Sequence, residues 1–208
     1  MAGKEFLDLP VEKKFNNAGR VPAAVWEKKF EKLAPKDQNL FQNGGFALAL
    51  NSSLCALISN NSIRNVLNVT QSRYSTAASM FLLPFISTTV AYEATVKSSL
   101  MAGNLNCEIC ALIRGGLVGA VIGYFYPIIL ALPLNALLAT RFSTSPMPSK
   151  ENALRFWTSL SKPIFRKTRL AAFIQVALGA YLGSKHHEIY LKMLRIPEPG
   201  RDPEKLEE

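Results

Sequence analysis

Two short stretches carry residue types able to do chemistry: Cys107-Glu108-Ile109-Cys110 and His186-His187-Glu188. A CxxC can hold zinc, but a closed zinc site needs four ligands. The other Cys and His candidates are Cys55, His186 and His187, and Cys55 falls inside an uncharged run, so no metal site is expected. Thioredoxin-type exchange belongs to a βαβ context, which this chain does not show. A local Cys107–Cys110 disulfide would form if the segment faced an oxidising compartment; two free thiols near a membrane interface are the equal alternative. The histidine pair has no Ser or Cys nucleophile pattern beside it and reads as interfacial. There is no Gly-rich phosphate loop and no HExxH. Paired carboxylates are absent from the apolar runs, which removes the usual support for an ion pathway. No catalytic residue, no metal and no cofactor is therefore expected, and the chain does not read as an enzyme.

The elements that would position these residues follow from where charge is missing. Uncharged stretches cover 38–63, 74–92, 115–140 and 170–184. A bilayer core of about 30 Å needs about 20 apolar residues in a helix. The second and third runs meet that length, and the first does so with Asn51, Ser52 and Ser53 as polar interruptions. The fourth has only 15 residues and spans only if Arg169 and Lys185 reach outward along their stems. The expected fold is all-α: a multi-pass membrane helical bundle of about four spans, near 43–60, 76–94, 113–140 and 168–186, with amphipathic interfacial helices. Pro84 is tolerable within a span, Pro127 and Pro133 predict a kink or break in the third, and Glu93 and Lys97 are spaced for an ion pair.

Three further segments complete the organisation. Residues 1–37 form a polar segment with eight basic and six acidic residues, unlike a signal peptide or an Arg-rich presequence. Within it Trp26, Phe30 and Leu33 predict a short amphipathic helix on the membrane or on the bundle. Leu154, Trp157, Leu160 and Ile164 predict an interfacial helix near 150–164, with Trp26 and Trp157 as interfacial anchors. Residues 196–208 read as a disordered charged tail. The net charge of +9 is spread beside the uncharged runs and not gathered with aromatics into a groove. That pattern fits membrane lipids, not nucleic acid. Loops 61–73 and 141–169 hold nine basic residues and one acid, which places them on a cytosol- or matrix-like side, while the basic N-terminal segment pulls the other way.

Gly115, Gly119 and Gly123 lie four apart, on one face of the third run. Each costs about 1 kcal/mol in a water-exposed helix. In lipid, small residues instead let another helix come close. The stripe is a candidate helix-packing face, toward the chain's own spans or toward a client protein.

The runs LNVTQSR, NCEICALIRGGLVG, YFYPIILALPLN, LLATRF, SKPIFRK, AYLGS and EPG resemble the transmembrane protein 126 family, more its A form than its B form, over roughly residues 40–200. The resemblance implies a multi-pass protein of the mitochondrial inner membrane without enzymatic activity. It implies an assembly factor or chaperone for newly made membrane-arm subunits of respiratory complex I, active in protein quality control. Its implied partners are those hydrophobic subunits, other complex I assembly factors and an Oxa-type insertase. A small-molecule carrier or channel is the alternative, with Asn51, Asn135 and Gln175 as polar candidates for a path.

Overall fold

All four uncharged runs lie inside long helices. The computed structural model describes residues 23–144 and 152–196; the expectations for residues 1–22, for the Pro146–Pro148 turn and for the charged tail beyond Ile196 lie outside these. Helix α1 covers Ala23–Glu31 and α2 covers Pro35–Val66. Helix α3 runs over Arg73–Met101 and α4 over Glu108–Arg141. Helix α5 runs over Ala153–Arg195. Cross-helix partners fix the directions: Ser52 meets Thr88, Asn60 meets Asn135, and Tyr124 meets Thr168. The four long helices therefore alternate up, down, up, down, as short connections favour.

The local sequence explains the corners. Pro35 opens α2 at a position where a missing N–H costs nothing. Gln38 turns its amide back onto the Phe30, Glu31 and Leu33 carbonyls at 3.0–3.1 Å. These carbonyls lie at and just beyond the end of α1, where helical donors run out, and Phe30 also accepts from the Leu33 N–H at 3.1 Å, so α1 is fixed against α2. At the far end of α2, Arg64 is buried and donates to the Thr76 hydroxyl at 2.9 Å and the Gln71 carbonyl at 2.6 Å. It closes a turn in which Asn68 and Ser72 adopt positive φ. Gly103, at φ 73°, turns the chain between α3 and α4.

Two helices depart from regular α geometry. A π-helical turn covers Glu93–Lys97 in α3, and a longer one covers Val118–Phe125 in α4. The second ends just before Pro127. In α register the Pro127 ring would press on the Gly123 carbonyl; the wider turn takes up that clash. Helix α4 therefore continues through both prolines to Arg141 without a break. The segments anticipated as a separate interfacial helix and a fourth span form one helix of 43 residues, which continues through Pro163. Losing one hydrogen bond at Pro163 leaves the neighbouring turns to carry the helix.

The core has two apolar ends. One joins Trp26, Leu48, Tyr92, Val96, Leu182 and Tyr190. The other joins Ile63, Met80, Tyr124, Ile128, Ala131 and Ile164. Helix α1 lies on the bundle at the first end, where Trp26 stacks on Tyr190 at 5.5 Å. Among the described residues, α3 and α4 are the two helices long and apolar enough to cross a membrane. Only 22% and 39% of their most apolar stretches is buried. A soluble protein would bury most of such a surface.

Candidate functional site

The stripe Gly115, Gly119 and Gly123 faces α5. A Cβ on Gly115 would stand 2.2 Å from the Gly179 carbonyl oxygen, and one on Gly119 would stand 2.5 Å from that of Gln175. The relation is mutual: a Cβ on Gly179 would meet the Gly115 carbonyl at 2.3 Å, and one on Gly183 the Ala111 carbonyl at 2.3 Å. The two backbones are in direct contact from Ala111 to Gly119, about two helical turns, and at Gly123 the Gln175 side chain fills the gap. Gln175, Gly179 and Gly183 form a second stripe at the same four-residue spacing. That stripe is legible by the same spacing rule, but it sits in the shortest uncharged run, where a span is hardest to recognise. Gly116, one residue away, also borders α5 but less closely: its Cβ would make an ordinary 3.6 Å contact with the Ala180 side chain.

Polar side chains bond each other beside this seam. Gln175 is fully buried; its amide donates to the Leu48 carbonyl at 3.1 Å, and its oxygen accepts from Asn51. Gly123 leaves the space the Gln175 amide occupies, since a Cβ there would overlap it. Nearer the other end Asn135 donates to Asn60 at 2.7 Å and to the Ala131 carbonyl at 2.8 Å. Ser52 pairs with Thr88 at 3.0 Å. Asn51, Asn135 and Gln175 thus hydrogen-bond to other helices and to backbone carbonyls. In lipid each such bond contributes about 0.6 kcal/mol.

His186 joins three helices. Its Nε2 lies 3.1 Å from the Leu40 carbonyl and its Nδ1 2.9 Å from the Tyr92 hydroxyl. A carbonyl only accepts, so Nε2 carries the hydrogen and Nδ1 accepts from Tyr92; one neutral tautomer satisfies both. Gly44 makes room for this ring, because a Cβ there would lie 2.9 Å from Nε2. Below it, Lys192 binds Asp37 at 2.9 Å and Glu188 at 3.2 Å. Hydrogen bonds from Lys185 and Lys192 hold the Glu188 carboxyl below the usual carboxylate range. Asp37 and then Glu188 hold the Lys192 ammonium above its usual value.

Beside this corner, α1, α2, α3 and the end of α5 enclose a groove of about 1000 Å³, lined by Trp26, Phe30, Phe41, Phe46, Val90 and Met101 among others. Its wall includes the π-helical turn of α3. There the Lys97 ammonium pairs with Glu93, reaches the Gln42 carbonyl at 3.4 Å and stands 5.4 Å over the Phe41 ring. Turns of this kind recur at functional sites. The groove was not legible in the sequence, because its walls come from four separate helices.

The remaining candidates are scattered. Cys107 and Cys110 are free thiols at the exposed start of α4, and Cys55 is buried in α2. Among the described residues no group of His, Cys, Asp and Glu is placed to hold a metal ion. Trp157 is half-buried beside Phe156 on the first part of α5.

Comparison with known proteins assigns the family. Residues 21–200 match the model for transmembrane protein 126. Transmembrane protein 126A of Rattus norvegicus is 42% identical over 83% of this chain and 88% of its own length. The Homo sapiens protein of that name is 38% identical over 91% and 97%. A B-form relative, complex I assembly factor TMEM126B, mitochondrial, of Mus musculus, is 32% identical over 79% of this chain and 71% of its own. No solved structure matches. The match over most of the described helices, and the higher identity to the A-form relatives, show that this chain belongs to the transmembrane protein 126 family, nearer its A form than its B form.

Proposed function

We propose that this chain is a non-enzymatic assembly factor that holds newly made membrane-arm subunits of respiratory complex I in the mitochondrial inner membrane. The observation that carries the reading is its membership of a transmembrane family whose B-form relatives are named mitochondrial complex I assembly factors. The surface supports it. Phe46, Leu50, Leu54 and Ile58 form an exposed apolar row on α2, and Leu170, Phe173, Ile174 and Tyr181 are exposed on α5. Similar residues are exposed on α3 and α4, so all four long helices present oil outward. That distribution favours four spans and a multi-pass topology. A client helix newly released into lipid could lie along these faces or in the groove beside α1. An Oxa-type insertase would be the source of such clients, and other assembly factors would receive them.

The test is affinity purification of the tagged protein from mitochondria pulse-labelled for newly translated products. Labelled mitochondrially encoded complex I subunits should co-purify. Deletion should lower assembled complex I on native gels while subunit transcripts stay constant. Normal complex I after deletion would refute the role.

A further inference from the structure

Cys107 and Cys110 stand apart from the packing just described. Both are exposed and both are free thiols. Cys107 occupies the N-cap of α4, with extended backbone angles of φ −111° and ψ 127°. Its carbonyl is already held in the helix by the Ala111 N–H at 3.1 Å. Cys110 sits three residues on, in the first turn. Residues one turn apart on a helix have Cβ atoms about 5–6 Å apart, whereas a disulfide wants about 4 Å. The N-cap residue is not bound to helical angles, so its side chain can fold over the first turn and close that gap. The Cys110 backbone N–H and thiol, with the Ile109 N–H, also draw the Cys107 thiol below its ordinary range. Buried Cys55 offers a contrast within the same chain.

We propose that Cys107 and Cys110 form a reversible dithiol–disulfide couple that exchanges with a small-molecule disulfide of the glutathione type. The Cys107 thiolate attacks one sulfur of that disulfide and expels one thiolate, which takes up a proton. Cys110 then loses its proton, attacks the Cys107 sulfur of the mixed disulfide and expels the second thiolate. Two protein thiols lose two electrons and two protons, and the small disulfide gains both as two thiols. Cys107 is the attacking sulfur because thiolate character sets the rate, and Cys110 resolves the adduct.

The test uses the full-length protein in lipid nanodiscs, equilibrated in buffers of reduced and oxidised glutathione. After acid quenching, free thiols are counted by maleimide mass tagging. The wild type should lose two thiols together at one midpoint and retain no glutathione. Cys110→Ser should retain one glutathione on Cys107. Cys107→Ser should react about ten-fold more slowly at Cys110. Cys55 should stay untagged until the protein is unfolded, reporting that each variant is folded. Independent loss of the two thiols, glutathione stably held by the folded wild type, or two thiols surviving fully oxidised glutathione would each overturn the proposal.

Discussion

Gly115 and Gly116 are neighbours in sequence, and the same substitution should affect them in opposite ways. In Gly115→Ala the new Cβ would lie 2.2 Å from the Gly179 oxygen, against at least 3.4 Å for an ordinary contact. The shortfall is about 1.2 Å, and it falls on a backbone atom that cannot rotate away. Helices α4 and α5 must separate by a comparable distance along the seam. Overpacking of this kind costs about 1–3 kcal/mol. In Gly116→Ala the Cβ meets Ala180 at 3.6 Å and Val176 at 3.9 Å, adding contact without strain. The expected outcome is a loss of about 2 kcal/mol for Gly115→Ala and a change within about 0.5 kcal/mol, or a slight gain, for Gly116→Ala. Thermal unfolding of the purified protein in detergent measures this. At about 2–4 °C per kcal/mol for a chain of this size, Gly115→Ala should melt several degrees lower and Gly116→Ala within about a degree of the parent. Equal midpoints for the two variants would refute the backbone-contact seam. Reduced client capture by Gly115→Ala at an unchanged midpoint would instead assign the stripe to recognition.

Other perturbations have similarly defined outcomes. Gln175→Leu and Asn51→Leu should each cost about 1 kcal/mol, and the double variant should cost less than their sum because they share one bond; strict additivity would deny the pairing. The Glu188 pKa is depressed, so its pairing stabilises above the ordinary carboxylate value of 4.5 and is lost as pH falls through the lowered one. The Lys192 pKa is raised, so its contribution is complete below 10.5 and fades as pH rises through the elevated value. With Trp157 replaced by Phe, emission of Trp26 should stay constant between about pH 7 and 10 and shift red only in acid, as the Glu188 carboxylate protonates and the end of α5 loosens; a shift between about pH 7 and 10 would contradict this assignment. N-x-S/T sequons stand at Asn51, Asn60 and Asn68, and the side-chain amides of Asn51 and Asn60 are hydrogen-bonded inside the bundle. A glycan detected at either by mass shift after glycosidase treatment would contradict the packing.

Much of the helical framework was legible because lack of charge over 15 to 26 residues leaves a chain in lipid few options but a helix. The Glu93–Lys97 pair followed from spacing alone, since both lie on one helix. What stayed illegible depended on pairs distant in sequence. No local rule joins Asn51 to Gln175, or Gly115 to Gly179, and each pairing needs α5 to turn back beside α2 and α4. The π-helical turns were hidden for another reason. Pro127 announces a disturbance of the hydrogen-bond ladder, but whether the helix breaks or widens depends on whether neighbours hold both flanks in line. Here Gly119 and Gly123 against α5 do so. Trp26 shows a third kind of ambiguity: an amphipathic helix offers the same face to lipid and to protein, and only the stacking partner Tyr190 decides between them.

The length of α5 has a mechanical consequence. Its 43 residues make a rod of about 64 Å at the usual rise, twice the thickness of a bilayer's oily layer. The seam grips this rod near its middle, between Gln175 and Gly183, by backbone contact that resists both sliding and rotation. Its two ends, at Trp157 and at Lys192, therefore behave as the arms of a lever about a fixed bearing. A load on one arm reaches the other as tilt, with no flexible joint to absorb it except the single missing hydrogen bond at Pro163.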